Sequence, residues 1–245
     1  MRKLVFLVKL KQVKYQFLSR DVLKLIAIVS MLLDHVGKLF FPNVLILQII
    51  GRLAMPIFAF FIAEGFHYTR SKLKYFLTIF IFAVIAQIPY NFLWHGLNIL
   101  FTFACSLFLL WLWDCAKNLG IIEKIMLRLI VFLVFMMLSC VAYLTKLDYR
   151  WYGILLPFVF YSLRNKPILK FLSFAAFTGL FVAEKIALAY PFVAFGSFMQ
   201  LFAVGSVFLL AFYNNSLSSN KKLKYVFYIF YPLHLIILLA LTLVF

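Results

Sequence analysis

Long apolar runs, separated by short polar segments, follow one another along almost the whole chain. Nine stretches are dominated by Leu, Ile, Val, Phe and Ala: 22–41, 44–66, 74–93, 97–114, 124–144, 150–163, 168–185, 193–213 and 224–244. A helix needs about 20 mostly apolar residues to cross the hydrocarbon core. The pattern therefore predicts about nine transmembrane helices, the sixth of them short. Pro42, Pro89 and Pro191 fall at or near predicted ends, where helix stops belong. Pro56, Pro157 and Pro232 fall inside predicted spans, which membrane helices tolerate when neighbouring groups satisfy the freed carbonyls. No soluble linker or internal repeat is visible. The expectation is one all-α, polytopic integral membrane bundle over residues 22–245. A basic segment, residues 1–21, precedes it, and its Lys and Arg alternate with Leu, Val, Phe and Tyr. That segment reads either as an amphipathic helix lying on the inner leaflet or as a frayed basic tail. It lacks the long apolar core of a cleavable signal peptide.

Composition points the same way. Of 245 residues, 67% are hydrophobic and 20% aromatic, and mean hydropathy is +1.07. A soluble domain is about half apolar, so that class is excluded, as are disordered and disulfide-scaffold classes. The net charge of +17 would indicate nucleic acid in a soluble protein. Here the charges sit between apolar runs, so they are read as setting orientation in a membrane, and no nucleic-acid partner is expected. With the N-terminus in the cytoplasm, nineteen Lys and Arg fall on the inner side and four on the outer, with Arg52 within a span. The bias holds at every loop. Membrane lipids are thus expected partners, and a multi-pass location in the cell membrane, bacterial and cytoplasmic, is expected. Cys105, Cys115 and Cys140 form no CxxC and no metal-ligand spacing; they read as buried thiols, and no metal is expected.

Polar and ionisable groups inside membrane spans are costly, so they usually face the bundle interior and mark function. The candidates are Asp34 and His35 in the first span, Arg52 and Glu64 in the second, Gln87 in the third and His234 in the ninth. Asp34 and His35 are adjacent and so cannot face each other on a helix. Asp34 is expected to meet Arg52 or a polar group on another helix, leaving His35 to face a cavity. Each candidate also has a plainer reading. His234 can be a hydrogen-bond partner between helices, Arg52 a structural counter-ion, and Glu64 a partner of the basic inner loop. Lys24 precedes His35 by eleven residues, about 16 Å along a helix axis. The many Phe residues read as lipid-facing bulk.

At these residues the sequence resembles the TraX family of membrane acetyltransferases, named for a protein that N-acetylates pilin in conjugative systems. Four blocks carry the resemblance: LKLIAIVSMLLDHVGKLFFP at 23–42; IIGRLAMPIFAFFIAEGFHYTRSKLKYFLTIFIFAVIAQIPYNFL at 49–93 with NILFT at 98–102; LDYRWYGILLPFVFY at 147–161; and LKYVFYIFYPLHLIILL at 223–239, preceded by Tyr213 and Asn214. The chain departs from the family at Asn214, Asn215, Ser216 and Leu217, where a Gly-bearing turn is common. The family in turn looks like a distant relative of the acyltransferase-3 enzymes. Lys24 and His35 reproduce their spacing of a basic residue, ten residues and a His. FFIAEGF at 60–66 is similar to their FFxxSGF block, with Glu64 in place of Ser.

The resemblance implies an enzyme that takes acetyl-CoA, or another acyl-CoA, as donor. It implies an acceptor such as a pilin amino group or an envelope glycan. His35 is then the candidate base, with Asp34, Arg52 and Gln87 orienting it or supporting the oxyanion. Lys24, Arg70, Lys72 and Lys74 are the candidates for holding CoA phosphates. Glu64 and His234 are further members of the polar layer. No Ser or Cys elbow motif is present, which favours direct transfer over an acyl-enzyme. Two other classes compete: a proton-coupled transporter, and a non-catalytic assembly factor for a pilus or secretion system.

Overall fold

The structure is a computed structural model describing residues 16–191, 195–215 and 221–244; residues 1–15 of the basic segment lie outside the described residues. The described residues are helical throughout, apart from one isolated backbone bridge. The elements are α1 (Arg20–Leu39), α2 (Leu45–Gly51), α3 (Ala54–Tyr68), α4 (Lys72–Leu93), α5 (Ile99–Cys115), α6 (Ile121–Leu144), α7 (Arg150–Ser162) and α8 (Pro167–Ala189). A 3₁₀ helix (Met199–Gly205), α9 (Ser206–Ala211) and α10 (Lys221–Thr242) complete the chain. Among the described residues, every apolar stretch read from the sequence falls largely on helix. Five helical stretches among the described residues are long and apolar enough to cross a membrane: Leu45–Tyr68, Lys72–Leu93, Ile99–Asn118, Ile121–Leu144 and Pro167–Ala189. Phe195–Ala211 and Val226–Thr242 are shorter apolar helices. The chain is a polytopic all-α membrane protein.

Three details depart from the expected pattern. The second span is interrupted at Arg52–Leu53, between α2 and α3. The cause lies in the sequence: Pro56 has no N–H for the Arg52 carbonyl, and its ring crowds that same carbonyl. The eighth stretch is not a full α-helical crossing but mostly 3₁₀ helix, followed by the short α9. Pro89, expected at or near an end as a helix stop, lies inside α4, which ends four residues later at Leu93, the expected bound.

The chain divides into two compact units. The first comprises residues up to Phe58 together with Val182–Phe227. Within it, Ser19 caps α1 by accepting a hydrogen bond from the Val22 N–H at 3.3 Å. Leu23, Ala27, Ser30, Met31, Asp34 and Gly37 recur at helical spacing and form the buried face of α1. Close approach of α1 and α2 depends on glycine. A Cβ on Gly37 would stand 2.9 Å from Leu47 Cβ, and one on Gly51 would stand 2.8 Å from Asp34 Cα. Small residues at such crossings let membrane helices touch backbone to backbone. Just before α1, Leu18 pairs with the chain at Tyr213: its N–H donates to Phe212 O and its carbonyl accepts from Asn214 N, each at 3.0 Å.

The second unit comprises Ala59–Phe181 and Tyr228–Phe245. Its core takes up part of the Phe content read as lipid-facing bulk, while other Phe side chains, such as Phe80, Phe92 and Phe132, are exposed. Phe60, Phe66, Phe160 and Phe174 are buried. The Phe160 ring meets Phe60 at 5.7 Å and Phe174 at 5.6 Å, and Tyr152 stacks on Phe181 at 4.8 Å. These offset and edge contacts are the preferred aromatic geometries. On α6, Ile122, Ile125, Leu129, Phe132, Leu133 and Met136 are all exposed, an apolar face suited to lipid. Cys115 and Cys140 are also exposed and Cys105 is half-buried, contrary to the expectation of three buried thiols.

Candidate functional site

In the first unit the interruption of the second span aims a charged side chain inward. Arg52 terminates α2, and its backbone N–H still reaches the Gln48 carbonyl at 3.2 Å. Its guanidinium is buried. Nη2 donates to Asp34 Oδ1, Nε donates to Gln48 O at 3.2 Å, and Nη1 faces Gln200 Oε1 at 3.5 Å. Asp34 is buried on α1 and also accepts from Lys38 Nζ at 2.6 Å, one turn on. Two cations thus share one carboxylate, leaving a local excess of one positive charge. Burying a charge is tolerated only when it is paired and hydrogen-bonded, and both members of this pair are.

His35 lies next to Asp34, turned about 100° around α1, and is half-buried. Because α1 is continuous from Arg20 to Leu39, Lys24 stands about 16 Å from His35 along its axis. The Lys24 ammonium lies over the Phe227 ring at 4.8 Å.

The second unit gathers two further ionic clusters. Buried Glu64 accepts from Arg164 Nε at 2.9 Å and Nη2 at 3.4 Å, and Arg164 also donates to the Tyr68 hydroxyl at 2.6 Å. Lys170 is buried nearby, with its ammonium 5.2 Å from the Phe60 ring centroid. In the second cluster the Asp114 carboxylate receives Lys72, Lys117 at 2.7 Å and the Tyr161 hydroxyl at 2.6 Å. A cavity of about 460 Å³ opens beside Lys72, lined by Phe66, Phe76, Leu107 and Trp111. Lys72 is therefore an ion-pair partner of Asp114, whereas Arg70 and Lys74 are exposed.

The remaining candidates have structural partners. Gln87 donates to Gly96 O at 2.8 Å, and its Oε1 accepts from Asn98 N at 3.0 Å and Asn98 Nδ2 at 2.8 Å. It thereby closes the turn between α4 and α5, with Asn98 capping α5. His234 is buried in α10, its Nδ1 3.0 Å from Phe230 O and its ring stacked on Phe230 at 5.1 Å. Of the sequence candidates, the structure brings Asp34 and Arg52 into contact, with His35 on the adjoining position. Glu64 pairs with Arg164, in the connection between α7 and α8. Gln200, Asp114, Tyr161, Arg164 and Lys170 were not among the sequence candidates. Gln200 had a signal: it is the sole amide side chain in the eighth apolar stretch before its closing Asn-rich loop. Among the described residues, no three His, Cys, Asp or Glu side chains gather as a metal site.

A family model described as TraX protein matches residues 19–242. The chain belongs to the TraX family. The probable fimbrial assembly protein FimC, serogroup H1, of Dichelobacter nodosus is 30% identical over 238 residues, covering 88% of this chain and 92% of that protein. The uncharacterized protein RP591 of Rickettsia prowazekii (strain Madrid E) is 42% identical over 69 residues, covering 28% of this chain and 26% of that protein. No solved structure matches. The TraX match includes α1, the interrupted second span and the 3₁₀ segment, so every polar group of the first-unit site lies within it.

Proposed function

We propose that this TraX-family chain is a multi-pass enzyme of the bacterial cytoplasmic membrane. It moves an acetyl group from cytoplasmic acetyl-CoA to an amine or hydroxyl acceptor, such as a pilin N-terminus or an envelope glycan. The observation that carries the reading is the buried Asp34–Arg52 pair at an interrupted membrane helix, with His35 on the next position of α1. Irregular backbone at membrane depth is tolerated where it is buried in protein or lines a wet cavity, and an intramembrane ion pair there marks function by default. The N-terminus is taken as cytoplasmic from the distribution of Lys and Arg. Lys24 then stands at the inner end of α1, ready to meet CoA phosphates as a point charge. The pantetheine arm has a length comparable to the separation of Lys24 from His35. By the same distribution of Lys and Arg in the sequence, Arg70 and Lys74 fall on the cytoplasmic side and are exposed, and Lys72 adds less because Asp114 neutralises it.

In the proposed reaction the acceptor nitrogen or oxygen attacks the thioester carbonyl carbon. His35 takes the acceptor proton, a task suited to imidazole near neutral pH. The carbonyl oxygen becomes an oxyanion, which the local positive excess around Arg52 stabilises. Collapse breaks the C–S bond, and the CoA thiolate takes the proton from His35. Products are the acetylated acceptor and CoA thiol. Asp34 orients Arg52 through their ion pair.

The test is transfer from labelled acetyl-CoA by the full-length protein in detergent. The probes are a synthetic peptide with a free α-amine and a hexose-containing glycan. Wild type should transfer label, and a folded His35→Ala protein should not; near-normal transfer by that variant removes His35 from the role. A second reading, a non-catalytic assembly factor, draws on the name of the Dichelobacter relative, which is called a probable fimbrial assembly protein. Stable co-purifying pilus subunits without label transfer would support it. Proton-driven counterflow in liposomes without transfer would support the transporter alternative.

A further inference from the structure

The geometry points to Gln200 as a catalytic residue of the same site, its side-chain amide donating a hydrogen bond to the acyl oxygen as that oxygen becomes negative. This rests on the acyl-transfer reading above. Gln200 lies in a 3₁₀ helix of seven residues, Met199–Gly205, longer than such helices usually run. The segment packs against the interruption of the second span: a Cβ on Gly205 would stand 3.4 Å from Leu53 Cδ2. With three residues per turn, positions 200, 203 and 206 share one face. That face is the buried one: Gln200 is 1% exposed, and Ala203 and Ser206 are fully buried.

The orientation of the Gln200 amide follows from its neighbour. A guanidinium only donates hydrogen bonds, so the Gln200 oxygen must face Arg52, as it does at 3.5 Å. The amide nitrogen is thereby turned away from Arg52. It is buried and meets no protein acceptor among the described residues. The Ser206 hydroxyl on the same face is in the same condition, so the polar character extends along the ridge. A buried donor without an acceptor is costly and rare in folded proteins, and calls for a functional or ligand-based explanation.

The charge of the surroundings names the kind of acceptor. Arg52 and Lys38 outnumber Asp34 by one positive charge, so an oxygen that gains negative charge is stabilised there and a cation is repelled. A thioester carbonyl meets that description. It is neutral on arrival, becomes an oxyanion when the acceptor attacks, and returns to a neutral carbonyl when the C–S bond breaks. A donor fixed in place before the reaction stabilises the charged stage more than the neutral ones, which is the condition for lowering the barrier.

The test uses the full-length protein in detergent, acetyl-CoA as donor and the free-amine peptide as acceptor. Two substitutions separate the donor from the packing. Gln200→Glu keeps the shape and an oxygen facing Arg52 but replaces the NH2 donor with an acceptor. Gln200→Leu removes both polar atoms. Both should lower kcat by about 10²–10³-fold, the effect of losing one oxyanion donor, with KM for acetyl-CoA within about threefold of wild type and thermal stability close to it. If wild type transfers acetyl, His35→Ala does not, and both Gln200 variants keep kcat within about threefold, Gln200 has no catalytic role and the acyl-transfer reading survives. If KM rises and thermal stability falls together with kcat in both variants, Gln200 only packs and the inference is overturned. If wild type transfers nothing from acetyl-CoA, the reading falls and this inference with it.

Discussion

Replacing Gly51 with alanine tests whether the contact of α1 with α2 holds the charged pair together. The added Cβ would stand 2.8 Å from Asp34 Cα. Carbon atoms pack best at about 3.5–4.0 Å, so the overlap with Cα is roughly 0.7–1.2 Å, and that with the nearer Asp34 Cβ is larger. The obstacle is backbone, so no rotamer change relieves it, and the two helices must part by about that distance. Overpacking of this kind costs about 1–3 kcal/mol. Parting the helices also draws Arg52 from Asp34, and a buried pair that loses its partner costs up to about 3–5 kcal/mol. Alanine returns about 0.5–1 kcal/mol in helix preference over glycine, which is too little to offset either term. A net loss of about 2–5 kcal/mol corresponds to about 4–20 °C at the usual 2–4 °C per kcal/mol for chains of this size. The assay is the apparent midpoint of thermal aggregation in detergent, followed by size-exclusion fluorescence at one fixed heating rate, because such transitions are irreversible. Gly179→Ala in α8 is the internal control. No heavy atom lies within 4 Å of that Cβ position, so the same substitution should leave the midpoint unchanged or raise it. Equal shifts at Gly51 and Gly179, or a Gly51→Ala midpoint matching wild type, would refute the reasoning.

Three other substitutions follow from the same contacts. Asp34→Leu should destabilise more than Arg52→Leu, because Asp34 retains Lys38 when Arg52 is lost. The double variant should recover part of the loss, giving a coupling of about 1–3 kcal/mol in a double-mutant cycle of thermal midpoints; strict additivity would contradict the pair. Gln87→Leu removes the acceptor of two Asn98 donors and the donor to Gly96, so it should lower stability by about 2–3 kcal/mol. Residual folded protein should keep its KM for acetyl-CoA, and a KM rise at unchanged midpoint would show a ligand role instead. Glu64→Gln leaves Arg164 without its carboxylate and Lys170 buried beside it, so a loss of about 3 kcal/mol is expected. A midpoint within 1–2 °C of wild type, about the shift of a sub-kcal/mol change, would mean the cluster is solvated.

How much was legible depends on the range of the interaction. Helix positions follow from local hydrophobicity, because a backbone in lipid must satisfy its own hydrogen bonds, and a helix does so within one segment. The nine apolar stretches therefore located the helices, although five helical stretches among the described residues, not nine, are long and apolar enough to cross a membrane. The contact of Asp34 with Arg52 was also foreseeable, since a buried carboxylate needs a partner and few cations lie within spans. The interruption at Arg52 was encoded four residues ahead, in Pro56, by a mechanism that acts along one helix.

Other features needed the packed structure. Nothing local in Met199–Gly205 distinguishes 3₁₀ from α-helix, and only the folded chain shows it lying beside Leu53. Gln200 becomes a candidate only when that path brings its oxygen to Arg52 and turns its nitrogen away. Gln87 and Lys72 read in sequence as a polar-layer member and a phosphate ligand. Their partners, Asn98 and Asp114, are set by how α4 meets α5. The sequence by itself determined which segments leave water, because transfer into lipid is a sum over neighbouring residues. Only the tertiary structure decided which polar groups share a partner, because that depends on the distance between helices, down to the missing methyl group of Gly51.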